Sequence, residues 1–505
     1  MLLAVVVTAC GLGSAPEEEL ASAELPISVP KSYPRKIYAH MMPWFQVGGQ
    51  HWSMNSRNSA TGVASWYSPM IGEYSSGDAN VIEYQLLTMK YAGIDGILVD
   101  WPGLNGANDL PQNKANAEAI IDRTAAFGLQ FGIVYEDQYA VSADAAKNDM
   151  AYVRDNFLSK ANRVLVNGSP ALLVFGPQKI TNASDWSNIL SVLPTNLMFF
   201  PLWYNDNAGS TADGRFAWIA QNALKGVADF DNGVDGVNQG WRIPVLYPGF
   251  NPYYAQGGWP GPTWKISYSL KTDNTEGGDT FRSTFELGKY AGDPLQIATW
   301  NDYGEGTMIE PTNQFQYRFV TTLQQAVGTI YTDAELKIVK MLYDQRRQFG
   351  ASKQAQLDQA SAALANLDVA RACSILGCAT PVHTGSGGAT GSGGLTGAGG
   401  SAGPGGSIGS GGSTTGPGSS GSAGQNAGIG GATSAGSAGA TFSAGGAGAA
   451  VGGSAAGNED AAGSAIEGSC GCSVIRANRP RPSAWLMAFG ALALASSRRR
   501  RRTGQ

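Results

Sequence analysis

The chain has 505 residues, with 34 basic side chains, 39 acidic ones and a formal charge of −5. Eight of the arginines follow Cys470, and without them 26 basic residues oppose 39 acidic ones, a charge of −13. This acidic balance argues against nucleic acid as a partner.

The N-terminal segment, residues 1–26, is predicted to be a signal peptide followed by a spacer. An apolar run over residues 2–9 ends at Cys10. It resembles the lipobox of a bacterial lipoprotein signal, in which Cys10 carries the lipid. The basic residues that usually precede such a run are missing, so an ordinary frayed terminus is the alternative.

The folded part is predicted over residues 27–378, where short apolar strands alternate with amphipathic helices. Buried strands are predicted over residues 37–45, 96–102, 131–137, 171–175, 198–203, 216–220, 243–250 and 295–301. Helices are predicted over residues 78–90, 113–127, 142–157, 185–193, 281–290 and 332–348. The last of these begins with a capping box, Thr332 to Glu335.

This alternation implies parallel strands with right-handed crossovers. Eight such units in about 300 residues fit a (β/α)8 barrel better than an open sheet. No glycine-rich dinucleotide fingerprint follows the first strand, which disfavours a doubly wound fold. We therefore expect an α/β chain with a TIM barrel.

The C-terminal part has a different composition. Residues 379–469 are mostly Gly, Ser, Ala and Thr, so we expect a disordered linker. Residues 470–505 combine two cysteines, a short apolar run and five consecutive arginines, and resemble a myxobacterial C-terminal sorting signal. The run is shorter than the ~20 residues of a stable membrane span, and an ordinary tail is the alternative. We expect a secreted protein attached to the cell surface or outer membrane.

The inventory of cysteines and histidines limits the chemistry. Only three histidines are present, and the five cysteines show no zinc spacing. A His-rich metal site and a Ser-His-Asp triad are therefore disfavoured, and we expect no metal and no cofactor. Cys373 and Cys378 can form a small disulfide outside the cytoplasm.

The most informative stretch is residues 297–311, where a buried strand breaks into acidic residues interleaved with glycine. In a barrel, the carboxyl ends of all strands face one opening, and catalytic groups lie there. Asp302 and Glu305 follow the last strand, and Asp100 and Glu136 end two earlier ones. Glycoside hydrolysis needs two such carboxyl groups. The alternative is that Asp302 and Glu305 only cap a turn.

Aromatic residues near strand ends are candidates for stacking on sugar rings. They are Trp44, Trp101, Tyr135, Trp203, Trp218, Tyr247 and Trp300. Each taken alone is better explained as part of the core or rim, but so many at strand ends together favour a role in binding. Asp100 is expected to bind a hydroxyl group or to be structural. Glu136 is expected to be either a catalyst or a partner of one.

The run over residues 299–310, Thr-Trp-Asn-Asp-Tyr-Gly-Glu-Gly-Thr-Met-Ile-Glu, resembles the last-strand motif shared by glycoside hydrolase families 71 and 99. Shorter matches lie at residues 38–44, 72–76, 92–101 and 134–137. The resemblance implies a (β/α)8 barrel that cleaves α-linked glucans or mannans in mid-chain without a metal. It assigns the acid/base role to Glu305. Asp302 stands where family 99 has a glutamate that acts through the sugar's 2-hydroxyl group, and family 71 has the shorter aspartate.

These observations predict a monomeric glycoside hydrolase that acts on a polysaccharide or oligosaccharide, with Glu305, Asp302 and Glu136 as candidate catalytic residues. One alternative is a carbohydrate-binding surface protein on a catalytically inactive barrel, which the presence of both acids disfavours. Another is a structural surface protein, which would not need converging acids and aromatic rings.

Overall fold

A computed structural model describes residues 27–234 and 240–383. Cys10 and the predicted signal, residues 384–469 of the predicted linker, and the predicted sorting segment at 470–505 lie outside the described residues. Within the described ranges, no helix combines the length and the apolar character that crossing a membrane requires.

The strands are short and almost entirely buried. They are β1 (Ile37–Met41), β2 (Gly96–Trp101), β3 (Gln130–Tyr135), β4 (Leu165–Val166), β5 (Ser169–Val174), β6 (Met198–Pro201), β7 (Gly214–Phe216), β8 (Trp241–Ile243), β9 (Val245–Leu246) and β10 (Leu295–Ile297). Their apolar runs are those of parallel strands that are covered on both faces.

Parallel ladders join most of these strands into one curled sheet. Its order is β4-β5-β3-β2-β1-β10-β9, and β6 also pairs with β5. All of these ladders are parallel except that of β4 with β5. The first strand thus pairs with both the second and the last, as it does when a parallel sheet curls back on itself.

A second, two-stranded sheet continues this curvature. β7 pairs with β8 in parallel, a bridge joins Leu202 to Phe216, and the N–H of Ala217 donates to the Ile243 carbonyl at 3.0 Å. β8 and β9 are separated by Pro244, which has no N–H for a ladder. The strands that correspond to the predictions at 216–220 and 243–250 are shorter than predicted, and they begin earlier, at residues 214 and 241.

Helices lie between the strands along the chain and after the last strand. They are α1 (Gln50–Ser53), α2 (Ala79–Tyr91), α3 (Leu110–Thr124), α4 (Ala143–Asn156), α5 (Ala183–Leu190), α6 (Leu224–Asp231), α7 (Tyr254–Gly257), α8 (Thr280–Gly288), α9 (Arg318–Val327), α10 (Asp333–Phe349), α11 (Gln354–Ala365) and α12 (Val369–Leu376). The fold is therefore mixed α/β, with a curled parallel sheet and a helical layer.

Side chains at the helix starts explain where several helices begin. The Asp78 carboxylate accepts the N–H groups of Asn80 and Val81, and the capping box of Thr332 and Glu335 opens α10. Asp109, at the N-cap position of α3, makes no such bond.

The last three helices pack together beyond the sheet. Arg346 on α10 forms a buried ion pair with Glu83 on α2, and Ser361 on α11 donates to the same carboxylate at 2.6 Å. Cys373 and Cys378 form a disulfide at the end of α12. Because a buried carboxylate needs such partners, this cluster fixes α10 and α11 against α2.

Side chains alternate between the two faces of each strand. On the inner face, His40 Nε2 lies 2.6 Å from Gln296 Oε1, and Gln296 donates to the Ala217 carbonyl at 2.7 Å. Trp218 packs edge-on against His40 at 4.7 Å between ring centroids. Burial lowers the pKa of His40 to about 4. A neutral, hydrogen-bonded layer therefore fills the interior below the carboxyl ends of the strands.

Candidate active site

The loop after β10 folds back onto the strand that precedes it. The N–H of Trp300 donates to the His40 carbonyl at 2.7 Å, and the N–H of Glu310 donates to the Trp300 carbonyl at 2.9 Å. Thr299 and Thr307 are joined by backbone and hydroxyl contacts at 3.0 Å. The residues between them therefore form a closed loop at the carboxyl ends of the strands.

Asp302 is held rigidly inside this loop. Its N–H donates to Thr299 Oγ1 at 2.8 Å, and its Oδ1 accepts the N–H of Glu305 at 2.9 Å. It is 5% exposed. Burial raises the pKa of Asp302 to about 7, although the N–H groups of Glu305 and Gly304 act in the opposite direction. The turn-capping role is thus present, and it fixes Asp302 beside Glu305.

Glu305 is buried beside Asp302 and is only partly paired. It is 3% exposed, and its Oε1 accepts the hydroxyl of Tyr254 at 3.2 Å. Its Oε2 has no hydrogen-bond partner in the structure. Burial, and then the charge of Asp302, raise the pKa of Glu305 well above its usual range. These surroundings favour the protonated form of Glu305, which is the form that a general acid needs.

Asp100 and Glu136 lie at the ends of β2 and β3 and line one cavity. Burial, and then the charges of Glu136 and Asp302, raise the pKa of Asp100. Burial raises the pKa of Glu136 to about 8, although Gln138 Nε2 donates to it at 2.8 Å. The structure therefore brings Asp100, Glu136, Asp302 and Glu305 together; we call these four residues the acidic site.

Three of the predicted aromatic residues are buried just past the ends of their strands. Tyr247 follows β9, Trp300 follows β10 and Trp218 follows β7. The Tyr247 hydroxyl and the Trp300 Nε1 have no hydrogen-bond partner in the structure. Trp218 lies deeper, against His40 and Phe175. Trp44 lines the cavity that Asp100 and Glu136 also line.

Trp101, Tyr135 and Trp203 occupy the opposite face of the sheet. Trp101 stacks on Tyr152 of α4 at 5.8 Å with nearly parallel rings. The Tyr135 hydroxyl donates to Asp149 of α4 at 2.6 Å. Trp203 packs against a phenylalanine of α6. Because neighbouring strand residues point in opposite directions, the inward placement of Asp100 and Glu136 turns Trp101 and Tyr135 towards the helices, away from the acidic site.

Several residues at the site were not predicted from the sequence. Tyr254 donates to Glu305 from α7. Tyr204 follows β6, and burial of its hydroxyl, then the charges of Glu305 and Glu136, raise its pKa although 47% of the residue is exposed. Trp259 and Asn113 line the same cavity as Asp100. All of these lie on loops or helix ends, where no periodic pattern marks them.

Buried polar atoms without partners are costly in a folded protein. At the acidic site they include carboxyl oxygens of Asp100 and Glu305, the Tyr247 hydroxyl and the Trp300 indole N–H. Acceptors and donors of this kind suit the hydroxyl groups of a polar ligand. Among residues 27–234 and 240–383, no group of three or more His, Cys, Asp or Glu side chains has an arrangement that could hold a metal ion.

No family model matches this chain, and no curated protein matches it. The chain is similar to the solved structure of the GH99 endo-alpha-mannosidase from Bacteroides thetaiotaomicron, with 16% identity and a TM-score of 0.45 over 60% of this chain and 98% of that one. It is also similar to a "glycoside hydrolase-like protein", with 14% identity and a TM-score of 0.43 over 61% of this chain and 98% of the other. A GH113 beta-1,4-mannanase gives 9% identity and a TM-score of 0.33 over 50% and 94%. At these values the likenesses carry no argument about activity.

Proposed function

We propose that this chain is a glycoside hydrolase that cleaves α-linked glucan or mannan in mid-chain, with Glu305 as general acid/base and Asp302 as its partner. The observation that carries the proposal is the pair itself. Two buried carboxyl groups lie at the carboxyl ends of parallel strands, and one oxygen of Glu305 has no partner in the structure. Two carboxyl groups are the minimal apparatus for glycoside hydrolysis.

The scaffold that we propose is a (β/α)8 barrel, in which the second sheet completes the circle of the first. The bridge from Leu202 to Phe216 and the hydrogen bond from Ala217 to Ile243 support it, because they join β6 to β7 and β7 to β8. Barrel enzymes carry their catalytic groups at the carboxyl face, where the acidic site lies.

The roles of the two acids follow from their surroundings. Burial and the neighbouring Asp302 raise the pKa of Glu305, which favours the protonated form that can deliver a proton to the leaving oxygen. Asp302 has a pKa of about 7 and N–H donors that stabilise its charge. In the proposed mechanism Asp302 acts on the other face of the sugar. Two neighbouring carboxyl groups in different surroundings are the usual basis for such a division of roles.

Asp100 and Glu136 are proposed to bind substrate hydroxyl groups or to support the catalytic pair. Asp100 keeps an unpaired Oδ1, which suits a hydroxyl donor. Glu136 already accepts one hydrogen bond from Gln138, which suits a supporting role. Secretion, attachment to the cell surface through a terminus, and a monomeric state remain part of the proposal.

The direct test is to assay the purified protein against α-glucans and α-mannans and to measure the release of reducing ends. Oligomeric products from one of these polymers are expected, with no requirement for added metal. Tight binding of a polymer without any release of reducing ends would favour the alternative of a carbohydrate-binding protein. Neither binding nor release on any α-linked polymer would contradict both.

A further inference from the structure

A cavity is lined by Asp100 and Glu136 but by neither Asp302 nor Glu305; we call it the outer cavity. Its lining comes from the segments after β1, β2 and β3, the start of α3 and the loop after α7. Its wall includes Trp44, His51, Asp109, Asn113, Tyr139 and Trp259. The proposed chemistry does not use these side chains, so the cavity needs an explanation of its own.

One wall of the outer cavity is aromatic. Trp44 stacks on His51 with ring centroids 4.9 Å apart and an interplanar angle of 19°. Trp259 meets the same imidazole edge-on, at 5.4 Å and 82°. The imidazole therefore spaces the two indoles and holds both in place. Rigid aromatic walls are what a sugar ring packs against.

The opposite wall is polar, and it contains an N-cap aspartate that does not cap its helix. Asp109 is at the N-cap of the fifteen-residue α3, but its carboxylate makes no capping bond. Its Oδ2 lies 3.4 Å from His51 Nε2 and 3.3 Å from Asn113 Nδ2. An aspartate at this position normally accepts a helix N–H. Here the carboxylate instead orients the imidazole and the amide that line the outer cavity.

Asn113 supplies the observation that points to a ligand. It is 6% exposed, and its Oδ1 has no hydrogen-bond partner in the structure. Two further unpartnered atoms belong to residues that line the same cavity, the Trp259 Nε1 donor and the Asp100 Oδ1 acceptor. Two acceptors and one donor around a partly aromatic cavity match the hydroxyl groups and the apolar face of one hexose ring.

We propose that the outer cavity binds the sugar ring next to the one that is cleaved, with Asn113 Oδ1 and Trp259 Nε1 contacting its hydroxyl groups. The described lining of the cavity contains three carboxyl groups, those of Asp100, Asp109 and Glu136, and no lysine or arginine, so the site favours a neutral hexose over a uronic acid. This inference rests on the proposed function for the identity of the substrate, but the binding site stands on the geometry of the cavity.

The test compares a four-sugar α-linked oligosaccharide with a 4-nitrophenyl α-glycoside of the same sugar, using the full-length protein. Asn113→Ala should reduce kcat/KM on the oligosaccharide about 5- to 10-fold, the size of one lost hydrogen bond, mainly through KM. Trp259→Ala should lose at least as much. Trp259→Phe, which keeps an aromatic ring but no N–H, should lose less. All three losses should be several-fold smaller on the aryl glycoside, which does not reach the outer cavity.

Asn366→Ala is the matched control, because Asn366 is exposed at the C-cap of α11 and its side chain donates to the Ala362 carbonyl of that helix; its kinetics should equal those of the wild type. Equal losses on both substrates, or no loss on either, would overturn the assignment. Calorimetry with the same oligosaccharide separates this proposal from the hydrolase proposal. If the wild type binds the oligosaccharide but does not hydrolyse it, and Asn113→Ala binds it at least 5-fold more weakly, the outer cavity is supported and the hydrolase proposal is not. Undiminished binding by that variant, or no binding by the wild type, overturns it.

Discussion

Glu305 and Glu310 lie five residues apart in one loop, and they show what separates a buried acid that can react from one that holds the fold. Both are almost fully buried, and burial is the main cause that raises the pKa of each. Glu310 accepts from the hydroxyls of Tyr74 and Tyr303 at 2.9 Å and from Gln85 at 2.8 Å. Glu305 has one bond, at 3.2 Å, and one oxygen without a partner in the structure.

The comparison teaches that burial and a raised pKa are not enough to identify a catalytic carboxyl. Structural networks shift pKa values as well. The distinguishing feature is the remaining hydrogen-bonding capacity, which is used up at Glu310 and retained at Glu305. The two regions should therefore respond oppositely to the same substitution, glutamate to glutamine.

The largest expected effect is on catalysis at Glu305. Glu305→Gln keeps the shape of the side chain and removes the proton, so turnover on the natural polysaccharide should fall on the order of 10² to 10⁴-fold. The variant should stay folded and still bind oligosaccharide, because the side chain holds no part of the core. Near-normal turnover would contradict the assignment and make Glu136 the next acid to test.

Asp302→Asn should slow hydrolysis by about 10²-fold or more, on both natural and activated substrates, because its proposed role lies on the other face of the sugar. The asparagine oxygen can still accept the Glu305 N–H, so the loop should keep its form. Circular dichroism and kcat on the two substrate classes check this. A loss restricted to the natural substrate would assign Asp302 to the leaving-group side instead.

Glu310→Gln should affect stability and not the chemical step. A glutamine offers one acceptor oxygen where the carboxylate oxygens accept three hydrogen bonds, and its amide must face a donor. The expected loss is about 1–3 kcal/mol in the free energy of unfolding, with kcat per folded molecule changed less than about 2-fold. Urea unfolding and active-site titration measure the two quantities. A large loss of kcat in a fully folded variant would contradict the division between the two acids.

The last expected effect is a change in how the free energy of unfolding depends on pH. Burial raises the pKa of Asp302 to about 7, from about 4 in an unfolded chain. Between these values the folded protein binds a proton that the unfolded chain has released, so this group makes the folded state less stable as pH rises from 4 to 7. The stability of Asp302→Asn relative to the wild type should therefore improve from pH 5 to pH 8. Urea unfolding at the two pH values checks it, and an unchanged difference would contradict it.

Much of the scaffold was predictable because helix starts and buried strands leave local signals. Asp78 and the Thr332–Glu335 capping box mark helix starts where the structure has them. The weakest predictions were the sixth and seventh strands, where ladders of two or three residues give little periodic pattern. The start of α8 at Thr280, after Asp279, also agrees within one residue with the predicted helix at 281–290.

The acidic site was more accessible to sequence reasoning than its aromatic walls. Asp100, Glu136, Asp302 and Glu305 each follow a strand, and parallel strands bring their carboxyl ends together. Trp101, Tyr135 and Trp203 also stand near strand ends, but strands buried on both faces show no alternation that tells which neighbour points inward. The orientation of these rings therefore depended on the tertiary packing of α4 and α6.

Several site residues on helices and long loops could not be assigned from the sequence. Tyr254, Trp259 and Asn113 reach the site from a short helix, a loop and a helix start, and their positions depend on long-range contacts. Glu310 belongs to the quoted motif, but its three partners come from residues 74, 85 and 303. Its structural role follows only from those contacts.

The central claim is that Glu305 delivers a proton to the leaving group. The most direct test measures how the hydrolysis rate of Glu305→Gln depends on the leaving group. A series of aryl α-glycosides, from poor to good leaving groups, should be assayed with the wild type and with this variant. The loss of rate in the variant should be largest for the poorest leaving group. It should become smaller as the leaving group improves, because a good leaving group departs without a proton, and the variant should then approach the wild-type rate. A loss of the same size across the whole series would contradict the claim.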